Sequence, residues 1–93
     1  MIIRIATEGQ YELTGPALAE LDSADNALLD AVENGDPHAF ARELTRVLSI
    51  IRTRGRRLDD RELKESDLVL PPPDTTVEEA RALFAEYPRH LVT

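Results

Sequence analysis

The chain has 93 residues and a formal net charge of −7, a length that corresponds to one domain spanning residues 1–93. It contains no cysteine, which excludes disulfides, thiolate metal sites and cysteine nucleophiles. The N-terminus lacks the apolar run of a signal peptide, and no stretch approaches the roughly 18 apolar residues of a membrane span. We therefore expect a cytoplasmic protein with at most peripheral membrane association.

Two short β-branched or aromatic segments open the chain. Residues 2–6 have the composition of a strand, and Tyr11, Glu12 and Leu13 have that of a second strand. Gly9 is predicted to be the turn residue between them. The two segments therefore predict a β-hairpin, which needs cover from other elements because an isolated hairpin is marginally stable in water.

Two helices are predicted next. The first begins at Thr14 or Gly15 and ends at Gly35, a residue suited to a left-handed cap. Its apolar stripe is Leu18, Leu21, Ala24, Leu28, Ala31 and Val32, and Asp25 is assigned to its acidic side. The second helix runs from an Asp36 cap to Gly55, with a stripe of Phe40, Leu44, Val47, Leu48, Ile50 and Ile51. The short link predicts an antiparallel helical hairpin.

The C-terminal third is more irregular. Residues 56–67 are charged and predict an irregular segment with at most one helical turn. Leu68–Leu70 has the composition of a third short strand, and three prolines follow it. Thr76 and Glu79 form a capping box for a third helix, which Pro88 is expected to end. Its predicted buried face is Val77, Ala80, Leu83 and Phe84. The predicted fold class is thus α+β.

Charge is unevenly distributed along the sequence. Residues 1–40 hold eight acidic residues and one basic residue, and residues 65–93 hold six acidic and two basic residues. Residues 41–64 reverse this balance, with four acidic and eight basic residues. Segregated charge favours recognition of a partner. The candidate partner-binding residues are Arg46, Arg52, Arg54, Arg56, Arg57 and Arg61.

Three interpretations of these arginines remain open. They could complete a helix C-terminus and pair with acids on the first helix, bind an acidic protein partner, or bind nucleic acid or anionic lipid. A sequence pI near 4.7 argues against nucleic acid. No aromatic residue lies between the arginines, so base stacking is also unsupported.

No motif in the chain predicts catalysis. The two histidines, His38 and His90, lack metal-ligand spacing. Ser23, Ser49 and Ser66 lie outside any G-x-S-x-G context, and the glycines form no phosphate loop. We therefore expect a protein without enzymatic activity, catalytic residues, metal or cofactor.

Two motifs are similar to a known family. Arg4 to Tyr11 fits R-I-x-x-E-G-Q-Y, and Asp67 to Glu79 fits D-L-V-L-P-P-P-D-x-T-x-E-E. With the two helices and their N-G-D-P turn, they resemble the phage shock protein A-associated (PspAA) domain family over nearly the whole chain. Members are often encoded beside a phage shock protein A homologue, a helical membrane-remodelling protein of envelope stress. The resemblance implies a role in that stress system and no defined activity.

The residues and the resemblance together predict a non-enzymatic interaction module of the envelope-stress response. Its first candidate partner is a phage shock protein A homologue, through which it would reach the inner face of the membrane. The alternative is a nucleic-acid-binding regulator that uses the arginine cluster at the end of the second helix. The oligomeric state, and whether the module activates or inhibits the stress system, are not predicted.

Overall fold

The structure is a computed structural model, and it describes residues 1–62 and 64–84 of the chain. The elements, in chain order, are β1 (Ile2–Ile5), β2 (Gly9–Glu12), α1 (Pro16–Asn34), α2 (Pro37–Arg54), β3 (Arg56–Arg57), β4 (Leu68–Leu70) and α3 (Val77–Leu83). This order confirms the α+β class, the β-hairpin, the pair of long helices, the strand at Leu68–Leu70 and the short third helix. The expected end of the third helix at Pro88 and the residue His90 lie outside the described residues.

The strands form one four-stranded sheet in the order β3-β2-β1-β4. β2 runs antiparallel to both β1 and β3, whereas β4 runs parallel to β1. The prediction of Gly9 as the turn residue is wrong, because Gly9 is the first residue of β2. The turn is instead formed by residues 6–8, where Thr7 adopts a left-handed φ of 69°.

The irregular segment predicted at residues 56–67 is wrong at its start, because Arg56–Arg57 pairs with Tyr11 and Glu12 as β3. Lys64 and Ser66, later in the segment, are held against the sheet. The side-chain amide of Gln10 donates to the carbonyl of Lys64 at 2.6 Å and to the hydroxyl of Ser66 at 2.8 Å. These bonds satisfy the buried amide of Gln10 and fix the segment in place.

The helices pack on one face of the sheet and form the main core. All six residues of the predicted α2 stripe are buried, as are Ile3, Ile5, Leu68 and Leu70 of the sheet. The caps are also as predicted: Asp36 accepts from two backbone amides of α2, and Gly35 has a φ of 65°. Within the described residues, no helix is long and apolar enough to cross a membrane.

Two predictions about helix faces are wrong. Asp25 is fully buried, because it lies one turn from both Leu21 and Leu28 on the face of α1 that packs inward. Leu83 is 61% exposed although Val77, Ala80 and Phe84 are buried. At about 100° per residue, the direction of Leu83 is roughly a quarter turn around the helix axis from the mean direction of those three residues. Leu83 therefore lies at the edge of the buried face of α3 and is exposed to solvent.

Helix α3 is joined to the end of α1. The capping box at Thr76 and Glu79 is present as predicted. Nε of Arg81 donates to the carbonyl of Val32 at 3.4 Å, in the last turn of α1. A cation at this position is favourable because carbonyls at a helix C-terminus carry partial negative charge.

Candidate partner-binding site

Five of the six predicted arginines lie where α2 passes into β3, and Arg46 lies about two turns earlier on α2. Arg46, Arg52 and Arg54 are on α2, Arg56 and Arg57 form β3, and Arg61 follows on the segment over the sheet. All six are exposed. Five of these residues are close in sequence, between positions 52 and 61. Because Gly55 alone separates α2 from β3, they also stay close in the fold. We call the six residues the arginine surface.

A two-point ion pair on the arginine surface joins the end of α2 to the hairpin turn. Arg52 holds Glu8 with Nε and Nη2, each at 2.8 Å from a carboxylate oxygen. The hydroxyl of Tyr11 donates to the same carboxylate at 2.9 Å. Two-point contact between arginine and carboxylate is both stronger and more directional than a single contact, so this pair fixes the hairpin turn against α2.

The pKa values around Glu8 follow from these bonds. The hydrogen bond from Arg52 holds the pKa of Glu8 below its ordinary value of 4.5. The same bond raises the pKa of the Arg52 guanidinium. Burial raises the pKa of the Tyr11 hydroxyl, and its bond to Glu8 adds to that shift.

Arg57 completes this group from β3. Its Nη2 donates to the backbone carbonyl of Glu8 at 2.7 Å, and its guanidinium lies 5.8 Å from the centre of the Tyr11 ring. A guanidinium at this distance is attracted by the negative face of an aromatic ring. The hairpin therefore holds Arg57 through a carbonyl and a ring, and the described part of the chain offers it no ion pair within 4.0 Å.

Three other arginines of the surface pair with nearby acids. Arg54 contacts Glu20 of α1 at 2.7 Å, and Arg46 contacts Glu43 on its own helix at 3.4 Å. Arg56 lies between Glu12 at 3.3 Å and Glu62 at 3.4 Å. Among the ion pairs of residues 1–62 and 64–84, an acid on the first helix pairs with Arg54, and most of the other acids come from the hairpin and from Glu62 after β3.

Arg61 differs from the rest. Its backbone amide donates to Asp59, but its side chain forms no ion pair with any residue in the ranges 1–62 and 64–84. The side chains of Arg46, Arg52, Arg54 and Arg56 remain 40–56% exposed despite their pairs. The surface therefore alternates positive and negative groups, and within the described residues Arg57 and Arg61 are its two arginines without an ion pair.

The charge pattern of the sequence identified the arginines but not Glu8 and Tyr11. Glu8 binds Arg52 and Arg57, and Tyr11 donates to Glu8. Their spacing of three residues gave no indication of a contact, because they flank the point where the turn enters β2. The partner Arg52 is 44 residues away.

The described residues show no metal site. His38 is exposed near the start of α2. Within the described part of the chain, no three histidine, aspartate or glutamate side chains are grouped so that they could hold a metal ion.

The Glu8 pair predicts a dependence of stability on pH. Since the pKa of Glu8 is lowered on folding, its stabilisation is present above the ordinary value of 4.5 and is lost as the pH falls through the lower folded value. Glu62 and Glu79 act in the same direction, because backbone amides lower the pKa of each. We expect the free energy of unfolding to fall as the pH drops below about 4.5.

Glu8→Gln isolates the part due to this pair. Urea denaturation should show a stability deficit of the variant at neutral pH that shrinks in acid, because protonation of Glu8 removes the same charge from the wild type. Glu33→Gln is the matched control, since Glu33 is exposed and forms no ion pair with a described residue. A deficit for Glu8→Gln that stayed constant with pH would contradict this account.

Comparison with known protein families identifies a match over nearly the whole chain. A family model described as PspA-Associated protein (PspAA) matches residues 1–89 of the chain. It therefore covers both sequence motifs, all seven elements and the arginine surface. No curated protein and no solved structure matches the chain.

Proposed function

Because this chain belongs to the PspA-associated protein family, we propose that it is a non-enzymatic module that binds a PspA-type helical protein in the envelope-stress response. The match over residues 1–89 carries this proposal. The module would act in the cytoplasm and reach the inner face of the membrane through its partner.

The arginine surface is the proposed contact for this partner. An arginine has five N–H donors, and Arg54 and Arg46 each use one nitrogen on an intramolecular carboxylate. The two side chains are 50% and 52% exposed, so their remaining donors are available to carboxylates or carbonyls of a second protein. Arg61 adds a charge that no described acid neutralises, so an acidic segment of the partner would gain most beside it.

The acids among the arginines favour a protein partner over nucleic acid. Glu8, Glu12, Glu20 and Glu62 each lie within an ion pair of the arginine surface. A phosphate backbone that approached these arginines would meet the carboxylates as well, and repulsion would reduce its affinity. A protein surface with both signs of charge can complement such an alternating pattern.

The test is titration of the purified protein against the PspA homologue of the same organism. We expect saturable binding, and no binding would overturn the proposal. Tighter binding to duplex DNA than to the homologue would instead support the nucleic-acid-binding alternative. Because DNA binding depends steeply on salt, both titrations are made at the same ionic strength.

A charge-reversal variant tests the role of the arginine surface. We expect Arg54→Glu with Arg61→Glu to slow association on the order of tenfold at low salt. The difference should shrink at high salt, since the Debye length is already about 8 Å at physiological ionic strength. The control is Arg42→Glu in the second turn of α2, which lies outside the arginine surface and forms an ion pair with the adjacent Glu43. Equal association rates for both variants would exclude the arginine surface as the contact.

A further inference from the structure

An apolar groove lies between β4 and α3, apart from the arginine surface. Its volume is about 330 Å³, and its lining residues are Ala6, Val69, Leu70, Pro71, Pro72, Leu83 and Phe84. This volume is within the range of about 300–1,000 Å³ found for binding pockets. The groove uses part of the D-L-V-L-P-P-P motif, so a segment singled out in the sequence forms one wall.

The two most exposed large apolar side chains of the described residues meet in this groove. Val69 is 56% exposed and Leu83 is 61% exposed. Single exposed apolar residues are ordinary on protein surfaces, but apolar residues grouped around a concave site are typical of interaction sites. Leu83 was expected in the core from its spacing, and the fold instead places it at the groove.

A cation lies beside the groove. Arg4 is the register partner of Val69 in the parallel pairing of β1 with β4, so their Cα atoms are about 4.8 Å apart, the spacing of neighbouring strands. The Arg4 side chain is exposed and forms no ion pair or hydrogen bond with any residue that the structure describes. A ligand in the groove would therefore gain from a carboxylate placed next to its apolar part.

The backbone of β4 argues against a strand as the ligand. β4 is the edge strand of the sheet, and the carbonyl of Leu70 accepts from Ala6, so it faces inward. Because backbone groups of successive residues alternate in direction along a strand, the N–H and carbonyl of Val69 face outward. The next outward position is Pro71, which has no N–H to donate. An added strand would find a single donor, so recognition must rely on side chains.

We propose that this groove binds the apolar face of an amphipathic helix that carries a carboxylate beside its apolar stripe. Helices dock into such grooves through two or three apolar anchors at helical spacing. Val69 and Leu83 would contact the anchors, and Arg4 would bind the carboxylate. This inference rests on the proposed function, and it identifies the PspA-type helical partner as the source of the helix.

The experiment measures affinity for the PspA homologue with Leu83→Ser and, separately, Arg4→Glu. We expect each variant to bind at least roughly tenfold more weakly, because a few residues at the centre of an interface carry most of its binding energy. The matched controls are Ala82→Ser, an exposed neighbour on α3 that does not line the groove, and Arg42→Glu. The Leu83 and Arg4 side chains are exposed, so circular dichroism of the two groove variants should show an unchanged fold.

The outcomes separate this inference from the proposed function. If the wild type fails to bind the homologue, the proposed function is overturned and the inference with it. If the wild type binds and both groove variants bind equally well, the inference alone is overturned. It is also overturned if sedimentation shows that the chain forms dimers which Leu83→Ser dissociates while binding to the homologue is unchanged, because the occupant is then a second copy.

Discussion

Replacing Leu48 with alanine is expected to lower the free energy of unfolding by about 2–5 kcal/mol. Leu48 is fully buried in the middle of α2, and its neighbours Leu44, Val47 and Ile51 are at most 1% exposed. Removal of its methyl groups leaves a cavity that these packed neighbours cannot fill completely. The expected loss is a large share of the roughly 5–15 kcal/mol that stabilises a typical domain.

Urea denaturation at neutral pH measures this loss. Ser49→Ala is the matched control, because Ser49 is the next residue of α2 and its side chain is exposed. A surface substitution of this kind changes stability by about 0.5 kcal/mol or less. A loss below about 1 kcal/mol for Leu48→Ala would mean that α2 does not bury its apolar stripe as the structure has it.

Gly55→Ala is expected to destabilise the protein by about 1–3 kcal/mol or more. A Cβ atom at this position would lie 2.5 Å from the carbonyl oxygen of Ile51 and 2.7 Å from Cδ1 of Leu13. That oxygen is fixed because it accepts the Gly55 amide at 2.9 Å. The φ of Gly55 is −89°, which suits any residue. The position therefore requires glycine for lack of space, and an added methyl would force β3 away from β2.

Gly15→Ala provides the contrast. A Cβ at Gly15 would meet no atom within 4 Å, but its φ of 61° disfavours a side chain. Its φ of 61° is combined with a ψ of −139°, a conformation that suits glycine, so the expected cost is backbone strain alone, roughly 1–3 kcal/mol. Thermal or urea denaturation of both variants compares crowding with backbone strain. A smaller loss for Gly55→Ala than for Gly15→Ala would show that the α2–β3 junction can relax.

Local patterns predicted the helices well. The stripe and caps of α2 depend on spacing and on residues next to each other, such as Asp36 beside Pro37, and they are where the sequence placed them. β3 could not be found this way, because Arg-Arg has no strand composition and its pairing depends on Tyr11 and Glu12. Leu83 shows the same limit, since apolar spacing cannot tell which residue of a short helix the neighbouring layer leaves uncovered.

The candidate site was predictable in part for the same reason. Charge counting located the arginines, because they cluster in sequence. Charge counting could not identify their acidic partners, because Arg52 and Glu8 are 44 residues apart, as are Arg56 and Glu12. The groove was missed altogether, since its walls come from β4 and from a leucine that was expected in the core.

Strand β1 lies between a neighbour that is close in sequence and one that is distant. β2 follows after a short turn, but the amide of Ile2 and its bonding partner Asp67 are 65 residues apart. Contacts between distant residues form slowly, because the intervening chain must first close a long loop. During synthesis, the β4 side of β1 therefore stays unpaired until residue 70 has left the ribosome. Such an edge is open to pairing with other chains, so the early apolar residues Ile3 and Ile5 depend on the last third of the chain for protection from aggregation.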